Sequence, residues 1–295
     1  MSEPPTTRGH LTPGPRATVT RLPAPDDVAH LVRQLWVPEW ELPPGERVEQ
    51  LVLGYPASNV VVEPEGVALH GPTTRASTRV LSGRGWAVGA LLRPAGVLLF
   101  TDSPAGLLDA SAPLEAPDLH RAVLEAMAGG APGRDPAARR ERAAALLVDH
   151  VRARARAAAV SGDAVRDGVL ANRMVDLVEA GAGARSPEDL ARELHVSVRS
   201  LQRLAARFVG MPPQLLLRRR RLQEAAERMR ADPAGDLGAL AAELGFADQS
   251  HLTREFRSVL GATPRGYGRS RAGQEQLPVP QGAVTPATRR PRAGM

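Results

Sequence analysis

The chain has 295 residues, a formal net charge of +6, a sequence pI near 11.0 and no cysteine. The missing cysteines exclude disulfides, cysteine-type zinc sites and a catalytic thiol. The length suggests two domains with tails, and the basic balance points to polyanionic partners, nucleic acid first.

Residues 1–17 are rich in Pro, Thr and Gly and are expected as a disordered tail. They lack the apolar core of a secretory signal, so a cytoplasmic location is expected. From 18 to 130 the texture is that of a β-rich domain for effector binding or dimerisation. Short apolar runs, Val60-Val61-Val62, Val67-Ala68-Leu69 and Val97-Leu98-Leu99-Phe100, are separated by Pro and Gly turns. Trp36, Trp40, Tyr55, Trp86 and Phe100 fall in this region and are expected to fill its core. Trp40, Trp86 and Arg93 are the candidates for an effector site, with core packing or a surface turn as the competing roles. The longest apolar stretch, Gly85 to Phe100, is interrupted by Arg93-Pro94, too early for a membrane span.

Residues 131–162 read as a linker with a helix, following the Gly- and Pro-rich run 129–136. The helix is expected from Asp135 to Ala159, with an Arg-rich face and an Ala/Leu/Val face. Residues 163–270 alternate helices with tight turns, and 271–295 read as a second disordered tail. All 38 basic residues are Arg, which coding bias explains more simply than function. His10, His30, His70, His120, His150 and His195 show no metal-ligand spacing, so neither a metal nor a cofactor is expected. Gly83 to Gly89 resembles a dinucleotide loop only superficially, because no helix is expected after it.

An internal repeat organises the third region. Leu190, Ala191, Glu193 and Leu194 match Leu240, Ala241, Glu243 and Leu244 at an offset of 50 residues. After a turn that is one residue longer in the second copy, Leu201, Arg203 and Gly210 match Leu252, Arg254 and Gly261 at an offset of 51. Each copy has the logic of a helix–turn–helix. The first helix carries an apolar stripe. Gly245 sits where a left-handed residue would end it, Phe246 can fill the groove, and Asp248 or Ser197 can cap the next helix. The second helix then buries Leu252, Phe256 and Val259 and turns out Gln249, Ser250, Thr253 and Arg254. The same projection turns out Arg199, Gln202 and Arg203 in the first copy. Leu215 to Arg230 reads as one long helix joining the copies, and two such units can enter successive major grooves if held about 34 Å apart. One side of Arg218 to Arg221 could clamp phosphates or be merely solvated, and Arg221 could instead pair with Glu224.

These tandem units, the connector Arg221-Leu222-Gln223-Glu224-Ala225-Ala226, the turn Gly245 to Leu252 and the closing Gly261-Ala262-Thr263-Pro264 resemble the DNA-binding domain of AraC/XylS-type transcription regulators. The resemblance covers about 100 residues. It implies an α+β chain: an N-terminal β-rich sensor-like domain, a linker helix and a C-terminal all-α domain with two helix–turn–helix units. It also implies that Arg199, Gln202, Arg203, Gln249, Ser250, Thr253 and Arg254 stand at DNA-contacting positions. Ala205 departs from a usual Phe, Pro212 from a usual Ser, and the first turn lacks Gly-Phe. Residues 41–45 and 92–96 also resemble the N-terminal domain of actinobacterial members.

The function expected is that of a non-enzymatic, sequence-specific regulator controlled through its N-terminal domain. Its partners would be double-stranded DNA, a small-molecule effector, RNA polymerase if it activates, and a second copy if it dimerises, with no membrane. The alternative is a DNA-binding protein whose N-terminal domain is a ligand-independent dimerisation module. Fused alkyl-transfer repair enzymes need a Cys acceptor, and this chain has none.

Overall fold

The computed structural model describes residues 17–52, 56–128, 135–158, 162–181 and 186–272. Tyr55, nearly all of both expected tails and most of 129–136 lie outside the described residues.

The N-terminal half is an antiparallel sheet with two helices on one face. Its strands are β1 (Ala17–Pro23), β2 (Val32–Glu41), β4 (Asn59–Glu63), β5 (Gly66–His70), β7 (Arg84–Trp86), β8 (Val88–Leu92) and β9 (Ser111–Pro113). They run in the order β1-β2-β8-β4-β5-β9, with β7 also paired to β2, while β3 (Arg47–Val52) and β6 (Ser77–Ser82) pair separately. Every residue of β8 is buried, as its unbroken apolar sequence requires of a central strand. The run Val97 to Phe100, expected as β, is not a strand. Pro94 opens a single helical turn, α1 (Pro94–Val97), because its ring presets a helical φ and its missing N–H is not needed there.

The helices α2 (Pro117–Ala128) and α3 (Pro136–Ala157) cover the sheet. Asp135 caps α3 by accepting from the Ala137 amide at 2.9 Å. Ala143, Ala144, Leu147, Val148 and Val151 of α3 share one core with Val32, Leu35, Val37, Val60, Val88 and Ala90 of the sheet. The helix expected as a linker is therefore built into the N-terminal core. Its apolar stripe is wide enough to cover strands, and a free connector would leave that stripe in water. Glu39 faces the same way and pairs with Arg139 and Arg140 of α3.

The C-terminal half is all helical: α4 (Gly162–Ala180), α5 (Pro187–Glu193), α6 (Val198–Phe208), α7 (Pro213–Ala231), α8 (Leu237–Glu243), α9 (Gln249–Leu260) and α10 (Pro264–Ala272). It has two cores. One joins Met174 and Val178 of α4, Leu190, Leu201, Leu204, Phe208 and the start of α7. The other joins Leu222, Ala226 and Met229 of α7 with Leu240, Phe246, Leu252, Phe256 and Tyr267. The connector α7 contributes its first turns to one core and its later turns to the other. Among the described residues no helix is long and apolar enough to cross a membrane.

Candidate nucleic-acid interface

The two helix pairs turn in the same way although their turn sequences differ. After α8, the Gly245 amide donates to Ala242 O at 3.1 Å and the Phe246 amide to Ala241 O at 2.8 Å. After α5, the His195 amide donates to Arg192 O at 3.1 Å and the Val196 amide to Ala191 O at 2.9 Å. Both bends need a left-handed residue: Gly245 has φ 73° and His195 has φ 56°. Such bonds satisfy the last carbonyls of the first helix and aim the chain at the second. Each second helix then starts on a side-chain cap. The Ser200 amide donates to Ser197 Oγ at 3.1 Å and the His251 amide to Asp248 Oδ1 at 2.6 Å. Glycines 210 and 261 close both units with φ 76° and 74°.

The inward stripe of α6 is Leu201, Leu204, Ala205 and Phe208, and that of α9 is Leu252, Phe256, Val259 and Leu260, all buried. On the outward side, Arg199, Gln202, Arg203, Gln249, Ser250 and Arg254 are exposed and Thr253 is half-buried. None of these seven side chains has a hydrogen bond or ion pair with another described residue. Two unengaged faces of donors and acceptors are thus presented on helices whose backs are fixed in cores. Such faces can reach base edges and phosphates.

His251 has a different role. Its Nδ1 accepts from the Ala247 amide at 3.3 Å, and its ring meets Phe246 edge-on at 5.5 Å. The ring stabilises the turn through Nδ1 and leaves Nε2 3.9 Å from Glu255 Oε1. In the first unit Ala205 is fully buried where the second unit has Phe256. Pro212 opens α7 with no side-chain cap, whereas Thr263 Oγ1 accepts from the Gly266 amide at 3.1 Å.

The run Arg218 to Arg221 does not present its four guanidinium groups on one face. At about 100° per residue, four successive side chains leave α7 in four directions. Arg218 reaches Glu255 and, at 3.0 Å, Ser258 Oγ on α9. Arg219, only 3% exposed, donates to Thr73 O of the N-terminal domain. Arg220 Nε donates to Glu179 O at 2.9 Å, at the end of α4. Arg221 donates to Gly245 O at 2.9 Å and lies 5.0 Å from the Phe246 ring. Its expected pairing with Glu224 is not made; Glu224 instead meets Arg220 at 3.5 Å and Arg228 at 2.8 Å. Burial lowers the Arg221 pKa, and burial pushes that of Arg219 down to about 10. The sequence shows a run of charge; only the fold shows that each charge has an internal partner.

The three effector candidates do not form one site. Trp86 is paired with Glu39 and Trp40 with Gly85, so the two indoles stand on opposite faces of the sheet. Trp86 packs on the main core. Trp40 lies over Gly85, where a Cβ would come within 2.2 Å of its ring, and donates to Ser82 O at 3.2 Å. Arg93 lines a pocket between the sheet and the helices α4 and α6, with Arg33, Asp176, Glu179, Val175 and Phe208. There it pairs with Asp176, and Arg33 pairs with Glu179. Sequence reasoning did not single out Arg33, Asp176 or Glu179, because each is an ordinary surface charge until α4 docks on the sheet. Among the described residues no group of three or more His, Asp or Glu stands ready to hold a metal.

Residues 190–270 match a family described as "Helix-turn-helix domain", and residues 20–112 match one described as a "Domain of unknown function (DUF6597)". The chain is 37% identical over 103 residues to the HTH-type transcriptional regulator VirS of Mycobacterium tuberculosis, covering 34% of this chain and 30% of VirS. It is 32% identical over 106 residues to the HTH-type transcriptional activator RhaS of Escherichia fergusonii, covering 36% of this chain and 38% of RhaS. The chain thus spans about a third of the length of these curated relatives. The crystal structure of ToxT from Vibrio cholerae superposes with a TM-score of 0.37 at 13% identity, over 88% of this chain and 98% of ToxT.

Proposed function

Because residues 190–270 form a helix–turn–helix domain of the AraC type, we propose that the chain is a sequence-specific DNA-binding transcription regulator, with α6 and α9 as its recognition helices in successive major grooves. The observation that carries this reading is the pair of unengaged polar faces on helices with buried backs. Arg199, Arg203 and Arg254 take guanine edges or phosphates, and Gln202 and Gln249 take adenine edges, because a guanidinium fork and a carboxamide match those donor and acceptor patterns. Ser250 and Thr253 complete the contacts of the second unit. RNA polymerase would be a further partner if the protein activates.

Control acts through the N-terminal domain. Its contact with α4 supports this: the Ala95 amide donates to Asn172 Oδ1 at 3.0 Å, and Asn172 Nδ2 donates to His30 O at 2.8 Å. Of the three effector candidates, Arg93 is retained, because an anionic small molecule could exchange with Asp176 at that seam.

Selection of genomic fragments by the purified full chain tests the reading. A recurrent site with two half-sites about one helical turn apart is expected. Recovery of fragments with no common sequence would reject it.

A further inference from the structure

One loop of the N-terminal domain grips the DNA-binding half at two places. Residues 71–76 leave β5, cross to α7 and α9, and return as β6. The loop is folded by Asp109, whose two carboxylate oxygens accept from the Thr74 amide and from Thr74 Oγ1, each at 2.6 Å. Asp109 sits at φ 56°, and its own amide donates to Pro72 O at 2.9 Å. Into this loop runs Arg219 of the connector α7. Its guanidinium donates to Thr73 O, and its second terminal nitrogen lies 3.5 Å from Thr73 Oγ1. Three residues on, the Ala76 amide donates to Val259 O of α9 at 2.7 Å, and the Ala76 methyl packs on the second unit's core.

We infer that Arg219 is a positioning residue for DNA binding, and that loop 71–76, held by Arg219 on the connector and by Val259 on α9, sets the placement of the second helix–turn–helix unit relative to the N-terminal domain. The inference rests on the DNA-binding reading above. The grip is on the back of α9. Val259 lies on the buried stripe, while Gln249, Ser250 and Arg254 remain exposed. The loop therefore does not mask the recognition face; it can only govern where that face points. A buried cation makes a stiff joint, because withdrawing it would leave the charge and the Thr73 carbonyl without their counterparts. Further domain contacts, among them Arg93 with Asp176, Arg33 with Glu179, Ala95 with Asn172 and Gly210 against Pro104, reach α4 and the first unit.

The test uses full-length protein and a two-half-site DNA selected by the wild type. Arg254→Ala first identifies the half-site read by the second unit. Arg219→Met keeps the stem and removes the charge, and Thr74→Val loosens the loop from its exposed side. Each variant is expected to lose protection of the second unit's half-site and at least tenfold in affinity. Each should keep protection of the first half-site, and wild-type affinity for DNA whose second half-site is scrambled. Wild-type affinity and an unchanged footprint in Thr74→Val, or in a folded Arg219→Met, would overturn the inference even if the melting temperature moved. Tighter binding by either variant would also overturn it, since the loop would then be a brake. Failure of the wild-type chain to select any duplex is a separate outcome that removes the regulator reading and this inference with it.

Discussion

His195 and Gly245 occupy the same bend, each with a positive φ, at 56° and 73°. The hydrogen bonds around them have the same pattern, and the neighbours Val196 and Phe246 follow the same path. Only the side chain differs, so one unit carries a strain that the other avoids. A non-glycine residue in the left-handed region costs roughly 1–2 kcal/mol.

Reciprocal substitutions should therefore have opposite signs. Gly245→Ala is expected to destabilise the C-terminal domain by about 1–2 kcal/mol. No backbone atom would crowd the new methyl, since the nearest neighbour is an Arg221 nitrogen at 3.6 Å. His195→Gly is expected to be neutral or mildly stabilising, because relief of strain is offset by about 0.5–1 kcal/mol of added chain entropy. Urea titrations of both variants measure the difference. A clear loss of stability in His195→Gly would mean that the imidazole has a role beyond filling the bend.

Arg254→Ala should weaken binding to a selected site by about 1–3 kcal/mol, the range for a good bidentate base contact. Its melting transition should stay at the wild-type position, because Arg254 is exposed and has no partner among the described residues. Fluorescence anisotropy and differential scanning calorimetry on the same preparations separate the two effects. Unchanged affinity would remove Arg254 from the interface.

The caps of the recognition helices give a prediction about stability. Asp248→Ala and Ser197→Ala each remove the acceptor of an N-terminal amide. Each should cost about 1 kcal/mol in chemical denaturation. A loss well below that in Asp248→Ala would show that water replaces the carboxylate at no cost.

His70 makes stability depend on pH. Burial pushes its imidazole below the ordinary value, with Arg79 adding to the depression and Glu63 opposing it. A group whose pKa is lower in the folded state favours folding above its unfolded pKa. That contribution is lost as the pH falls below about 6.5 toward the folded value. His150 shifts in the same direction through burial and Arg154. His70→Leu should therefore flatten part of the decline in melting temperature between pH 7.5 and pH 5. The same slope in the variant would rule out His70 as a source.

Much of the C-terminal architecture is legible in the chain itself. The repeat, the Leu stripes, Ser197 and Asp248 as caps and Gly245 as a stop are all local features. A helix–turn–helix is specified over some twenty residues by periodicity, capping and one left-handed position. The outward faces follow from the same periodicity once the inward stripes are assigned. The strands β4 and β5 were equally legible, from short apolar runs joined by a Pro-Glu turn.

What the sequence could not decide are the relations between distant segments. That α3 belongs to the N-terminal core, that Trp40 and Trp86 face opposite ways, and that Arg218 to Arg221 reach four different elements depend on docking and register. A strand's register fixes which face every side chain takes, and no residue carries that information alone. The charge on Arg219 is equally visible in the sequence as a solvated cation or as a buried joint. Only the approach of a loop more than a hundred residues earlier in the chain decides between them, because burial is a property of the packed whole.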